Sequence, residues 1–128
     1  MPRRIIIYTD HPGLDAAAVA IRLTLAMPEE LDVFGIVAVA GNLLLTQTER
    51  NTRRICELAE RADIPVYARC ARPLLRPLET AAHLHGEVAR DRLLLPEPTM
   101  AMRAKNGVDF LVGTVRATEA GTITLCVL

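Results

Sequence analysis

The stretch Ile5-Ile6-Ile7-Tyr8-Thr9-Asp10-His11-Pro12-Gly13-Leu14-Asp15-Ala16-Ala17 changes character twice along its length. It opens as a β-branched apolar run without polar alternation, the pattern of a strand buried on both faces. At Thr9 it becomes a polar turn built around Pro12 and Gly13. From Leu14 to Met27 it becomes an Ala-rich run of strong helix formers, closed by Pro28. A buried strand that turns directly into a helix is the opening of a βαβ unit.

The rest of the chain repeats that alternation. Val33 to Val39 is a second apolar strand ending at Gly41-Asn42, and Thr46 to Ala62 is the clearest helix. Ile55, Leu58, Ala59 and Ala62 share one face of it, and Glu49/Arg53 and Glu57/Arg61 are spaced as i,i+4 pairs on the solvated side. Pro65 to Ala68 reads as a short third strand. Arg69 to Thr99 is proline-punctuated and irregular, a length of connection that often serves as a functional loop. Val108 to Thr118 is helical, with Val108, Leu111, Val112 and Val115 on one stripe, and Thr122 to Leu128 is a fourth strand. Strands alternating with helices specify an α/β fold, an open and mostly parallel sheet with helices on both faces, organised as one domain over residues 1–128. Such sheets bind ligands beyond the carboxyl ends of their strands, which directs attention to Asp10–Asp15 and Gly41-Asn42.

Composition removes several partners. Fifteen basic residues balance fifteen acidic ones, so there is no cationic surplus for nucleic acid or an anionic membrane. Two Tyr, two Phe and no Trp leave little for base stacking. The longest uncharged stretch, Val33 to Thr48, is broken by Gly35, Gly41 and Asn42 and is shorter than the ~18 residues of a membrane span. Cys56, Cys70 and Cys126 are odd in number and widely spaced, the usage of reduced thiols in a cytoplasmic protein.

Tyr8-Thr9-Asp10-His11-Pro12-Gly13-Leu14-Asp15-Ala16-Ala17 resembles the Asp-Thr-Asp-Pro-Gly-x-Asp-Asp-Ala opening of the inosine-uridine preferring nucleoside hydrolases. The resemblance continues in order through Val39-Ala40-Gly41-Asn42, Ile64-Pro65-Val66-Tyr67-Ala68, Arg72-Pro73-Leu74, His83-Leu84-His85-Gly86, Leu95-Pro96-Glu97-Pro98-Thr99 and Thr122-Ile123-Thr124-Leu125. Family enzymes are longer, so it covers their N-terminal part and implies a truncated family domain. It also implies hydrolysis of the N-glycosidic bond of purine or pyrimidine ribonucleosides, with Ca²⁺ as cofactor. Carboxylates clustered at a strand end suit that hard cation, which lowers the pKa of a bound water. An Asp then takes the proton, and the water attacks a ribosyl carbon through an oxocarbenium-like transition state.

Carried onto this chain, the resemblance makes Asp10 the catalytic general base and a metal ligand. Asp15 matches one of the paired Asp residues, as ribose-binding and metal-binding residue. Asn42 matches a substrate-binding Asn, and His85 the loop His near the active site. Tyr8 stands where the family has its first Asp, Ala16 or Ala17 fills the other paired Asp position, and His11 is an insertion in the loop. Ca²⁺ is therefore expected to bind weakly or not at all, and the 128-residue chain is expected to be inactive alone. Two other classes remain open. One is a non-catalytic assembly module that pairs with itself, as a homo-oligomer, or with a full-length relative. The other is a weak ribose- or nucleoside-binding domain without turnover.

Overall fold

A computed structural model describes residues 1–10, 16–69, 71, 73–81 and 96–128. Four strands form one sheet: β1 (Arg3–Thr9), β2 (Leu31–Ala38), β3 (Val66–Ala68) and β4 (Ile123–Val127), in the spatial order β3-β2-β1-β4. Every pairing is parallel. Three described helices accompany them, α1 (Ala16–Leu25), α2 (Leu45–Leu58) and α3 (Gly107–Ala117). The element order and the parallel sheet are those expected, and none of the described helices is long and apolar enough to cross a membrane.

Alternation along β1 divides the core. Ile5 and Ile7 face α1 and α2, where they meet Ala18, Ile21 and Leu25 of α1, Ile55 and Cys56 of α2, and Val33, Ile36 and Val66 of neighbouring strands. Ile6 faces the other way, onto Val37, Val39 and Phe110 of α3, with Tyr8, Tyr67 and Leu111 packed beside them. Helices therefore cover both faces. Each fully buried Ile contributes about 1.5–3 kcal/mol relative to exposure. β2 carries an irregularity: Ile5 aligns with Val33 but Ile6 with Gly35, so Phe34 is an extra residue in the ladder. That bulge is what lets Val33 and Ile36, three apart, reach the same core. Beside it, Tyr67 and Phe110 stack with ring centres 4.0 Å apart.

Three details of the helices depart from the sequence pattern. α2 stops at Leu58 and not Ala62. Glu60 takes a left-handed φ of 57°, Glu60 N–H donates to the Glu57 carbonyl and Arg61 N–H to the Cys56 carbonyl, which closes the helix as a Schellman motif. Glu49 and Arg53 do pair, at 2.8 Å, but Arg61 pairs with Asp63 at 2.9 Å, and Glu57 instead accepts from Thr99 and Met100. On α3 the inward residues are Gly107 and Phe110, while Val112 and Val115 are exposed. The ring of Phe110 fits over Gly35, where a Cβ would come within 2.9 Å of it.

Candidate functional site

The carboxyl ends of β1, β2 and β3 lie side by side, and the residues that follow them build one mouth. β1 ends in buried Thr9, whose carbonyl accepts from Val39 N–H at 3.0 Å, so β1 and β2 stay tied to the last rung. Asp10 comes next, half-buried. Beyond β2 the chain turns sharply, with Gly41 N–H donating to the Leu43 carbonyl at 3.1 Å. The turn brings Asn42 onto Asp10: its backbone N–H donates to Asp10 Oδ2 at 3.3 Å, and its side-chain Nδ2 to the Asp10 carbonyl at 3.5 Å. Gly41 makes this contact possible. A Cβ there would sit 2.1 Å from Asp10 Oδ2.

Two later segments complete the rim. Ala81 N–H donates to the Asn42 carbonyl at 2.9 Å, returning part of the long connection to the mouth. After β3, Arg69 N–H donates to the Ala38 carbonyl, while its guanidinium donates to the Tyr8 hydroxyl and lies 5.7 Å from the centre of that ring. A cleft of about 680 Å³ opens here, between Ala40, Gly41, Arg69 and the exposed 73–79 segment.

Of the residues expected in a site, Asp10 and Asn42 are brought into contact. Asp15 and His85, like His11 and His83, lie outside the described residues. Gly41, to which the sequence pointed together with Asn42, matters through the space it leaves. Arg69 is the residue that the sequence did not single out. It matters through its reach to Tyr8, and its position directly after a strand was the available clue.

Calcium, implied by the resemblance, needs six to eight oxygens at about 2.3–2.6 Å. No group of three or more His, Cys, Asp or Glu that could hold a metal ion occurs among the described residues. Asp10 already accepts from Asn42, and the Tyr8 oxygen is engaged by a cationic guanidinium. The described residues do not by themselves fit a divalent cation.

Elsewhere, an apolar groove of about 490 Å³ runs between α3 and β4, lined by Ile6, Leu111, Val112, Val115, Ile123 and Leu125 among others. It lies on the sheet face opposite α1 and α2. Cys56 is buried, and that burial pushes its thiol up to about 12, whereas Cys126 is exposed; both are free thiols.

The family model described as inosine-uridine preferring nucleoside hydrolase matches residues 5–128. The pyrimidine-specific ribonucleoside hydrolase RihA of Escherichia coli O1:K1 is 44% identical over 114 residues, 89% of this chain and 36% of that protein. The inosine-uridine preferring nucleoside hydrolase of Crithidia fasciculata is 36% identical over 126 residues, 98% of this chain and 39% of that protein. Among solved structures, the plant nucleoside hydrolase PpNRh1 superposes with a TM-score of 0.80 at 32% identity, covering 100% of this chain and 40% of that one. The chain thus spans about two fifths of the length of the relatives it matches.

Proposed function

Because the chain belongs to the inosine-uridine preferring nucleoside hydrolase family, we propose that its strand-end mouth binds the ribosyl part of a ribonucleoside, with Asp10 and Asn42 as the residues that meet it. The observation that carries this reading is the contact of Asp10 with Asn42 across two adjacent strand ends, closed down over Gly41. A carboxylate and an amide held together offer acceptors and donors matched to the vicinal hydroxyls of ribose. To Asp10 we also assign, on the family resemblance, the general-base role of taking a proton from an attacking water in glycosidic hydrolysis. Asp15 and His85 belong to the same proposal as substrate-binding residues, and Asp15 with Asp10 as the residues toward a metal ion.

For the 128-residue chain we propose binding without turnover. Tyr8 supplies no carboxylate where the family has one, and the guanidinium it holds opposes a divalent cation. Electrostatic activation of water is commonly worth orders of magnitude in rate, so its loss alone takes turnover below detection. The test is release of base from inosine, uridine and a nitrophenyl riboside. None is expected, and Ca²⁺ titrated by calorimetry should bind no better than about millimolar. Turnover that copurifies with the protein and vanishes in Asp10→Asn would overturn the inactivity, and a micromolar one-to-one Ca²⁺ site lost in Asp10→Ala would overturn the metal reading.

The apolar groove between α3 and β4 favours a second feature, self-association into a homo-oligomer. The free thiols Cys56 and Cys126 favour a reducing, cytoplasmic setting.

A further inference from the structure

Arg69 emerges after β3 and crosses the end of β2 to reach Tyr8 on β1, so its guanidinium spans the mouth. The side chain is half-buried, and none of the ion pairs among the described residues includes it. A guanidinium is always charged in a protein and carries five N–H donors in a rigid fork. Tyr8 accepts from Nη1 and offers its ring face, which orients the fork without neutralising it. Charge drawn partly out of water without a counter-charge is unfavourable, and a bound anion removes that penalty.

The surroundings match such a ligand. Arg69 and Arg76 line the cleft of about 680 Å³ together with Gly41, against a single carboxylate, Glu79, among its described lining. Asp10 lies against Gly41 and is not part of that lining, so its carboxylate stands apart from the two arginines of the cleft. A ligand with hydroxyls at one end and an anionic group at the other suits this division. Guanidinium forks recognise phosphate oxygens bidentately.

We propose that Arg69, with Arg76 beside it, forms an anion subsite adjoining the Asp10–Asn42 mouth, and that the ligand it fits is a ribosyl compound carrying a phosphate group. The ribosyl half rests on the reading of the preceding subsection, while the anion half rests on the placement of Arg69. The same guanidinium adds to the reasons why the described residues do not by themselves fit a divalent cation.

Calorimetric titration with ribose, ribose 5-phosphate and inorganic phosphate separates the two halves. Ribose 5-phosphate should bind at least about tenfold tighter than ribose, a gain in the range of one charge-assisted hydrogen-bonded contact. Arg69→Gln should bring the two within about twofold, and Tyr8→Phe should reduce the preference by releasing the fork. Melting curves establish that each variant is folded. Exposed Arg76→Gln keeps the test open if Arg69→Gln does not fold, and it should reduce the preference severalfold. Equal affinity of the native chain for ribose and ribose 5-phosphate overturns the anion subsite and leaves the ribosyl reading standing. A preference that survives in folded Arg69→Gln, or that Arg76→Gln leaves unchanged, also overturns it. Arg69-dependent binding of inorganic phosphate without any ribose binding upholds the subsite and removes the ribosyl reading.

Discussion

Gly41 shows how much one absent side chain can decide. Its Cα faces the Asp10 carboxylate so closely that alanine would place a carbon 2.1 Å from Oδ2. Neither partner can yield easily, since Asp10 directly follows buried Thr9 and Asn42 is tied to Ala81. Gly41→Ala should therefore cost about 1–3 kcal/mol, the usual penalty of forcing extra volume into a packed site. It should also part Asn42 from Asp10 and weaken ribose binding by about tenfold or more, in the range of a lost hydrogen bond to a charged group. Urea unfolding and calorimetry on the same variant check both. Full ribose affinity in Gly41→Ala would mean that the Asp10–Asn42 contact is not the binding element. That Asp10 and Asn42 lie at neighbouring strand ends was legible in the sequence, because each follows an apolar strand of a parallel sheet. Arg69 was not, because its partner Tyr8 lies 61 positions away and only the sheet order brings them together.

At the scale of elements, α2 anchors the segment that leads into α3. Arg54, buried on α2, donates to Glu97 at 2.8 Å and to the Pro96 carbonyl at 3.3 Å. One turn further on, Glu57 Oε1 accepts from Thr99 N–H, Thr99 Oγ1 and Met100 N–H. The Met100 N–H chiefly, and Thr99 with it, holds the Glu57 carboxyl below its ordinary value of 4.5. A carboxyl whose folded pKa is depressed stabilises the fold above its unfolded pKa, and that contribution disappears as pH falls through the folded value. Protection of Thr99 and Met100 against hydrogen exchange, measured relative to the intrinsic rate at each pH, should therefore fall on acidification below about pH 4.5, the ordinary glutamate range. Glu57→Gln should show lower protection at neutral pH, and that protection should lose most of this acid dependence. A wild-type profile identical to that of Glu57→Gln would show that the carboxylate does not hold the segment. Here the sequence misled. The spacing of Glu57 and Arg61 suggested a pair along one helix, but α2 ends in the left-handed turn at Glu60, a conformation that a glutamate does not advertise. The inward face of α3 was misread for a similar reason. Four aliphatic residues at helical spacing made a plausible stripe, and the gap over Gly35 that receives Phe110 belongs to a strand more than seventy residues earlier.

For the whole molecule, the sheet is unevenly covered. β1 and β2 lie inside, whereas β4 borders the sheet with Leu125 52% and Val127 66% exposed. On the same face as Leu125, Val112 is 45% and Val115 is 56% exposed along α3, so strand and helix present one continuous apolar groove. Exposed apolar surface beside unpaired strand edges drives association, and a net charge of zero offers little repulsion against it. Sedimentation velocity over a range of concentrations should show a dimer or larger species, with Leu125→Lys shifted toward monomer. A monomer at every concentration, indifferent to Leu125→Lys, would sink the self-association. The fold class was readable from the strand–helix alternation because each element announces its own period. The width of this groove was not readable, because it depends on how far α3 stands off the sheet over Phe110.

The sheet order carries a consequence for how the chain is made. Of the four strands, β1 leaves the ribosome first and β4 last, yet Arg4 aligns with Ile123 and Tyr8 with Val127. Until β4 emerges, β1 can satisfy only its β2 edge, and its other row of N–H and C=O groups waits for a partner more than a hundred residues away in the chain. Pairings of such high sequence separation form slowly and leave an adhesive edge exposed in the meantime. Nascent copies on neighbouring ribosomes would meet through β1 before β4 arrives, so the yield of folded protein should depend on how quickly translation covers the interval between the two strands.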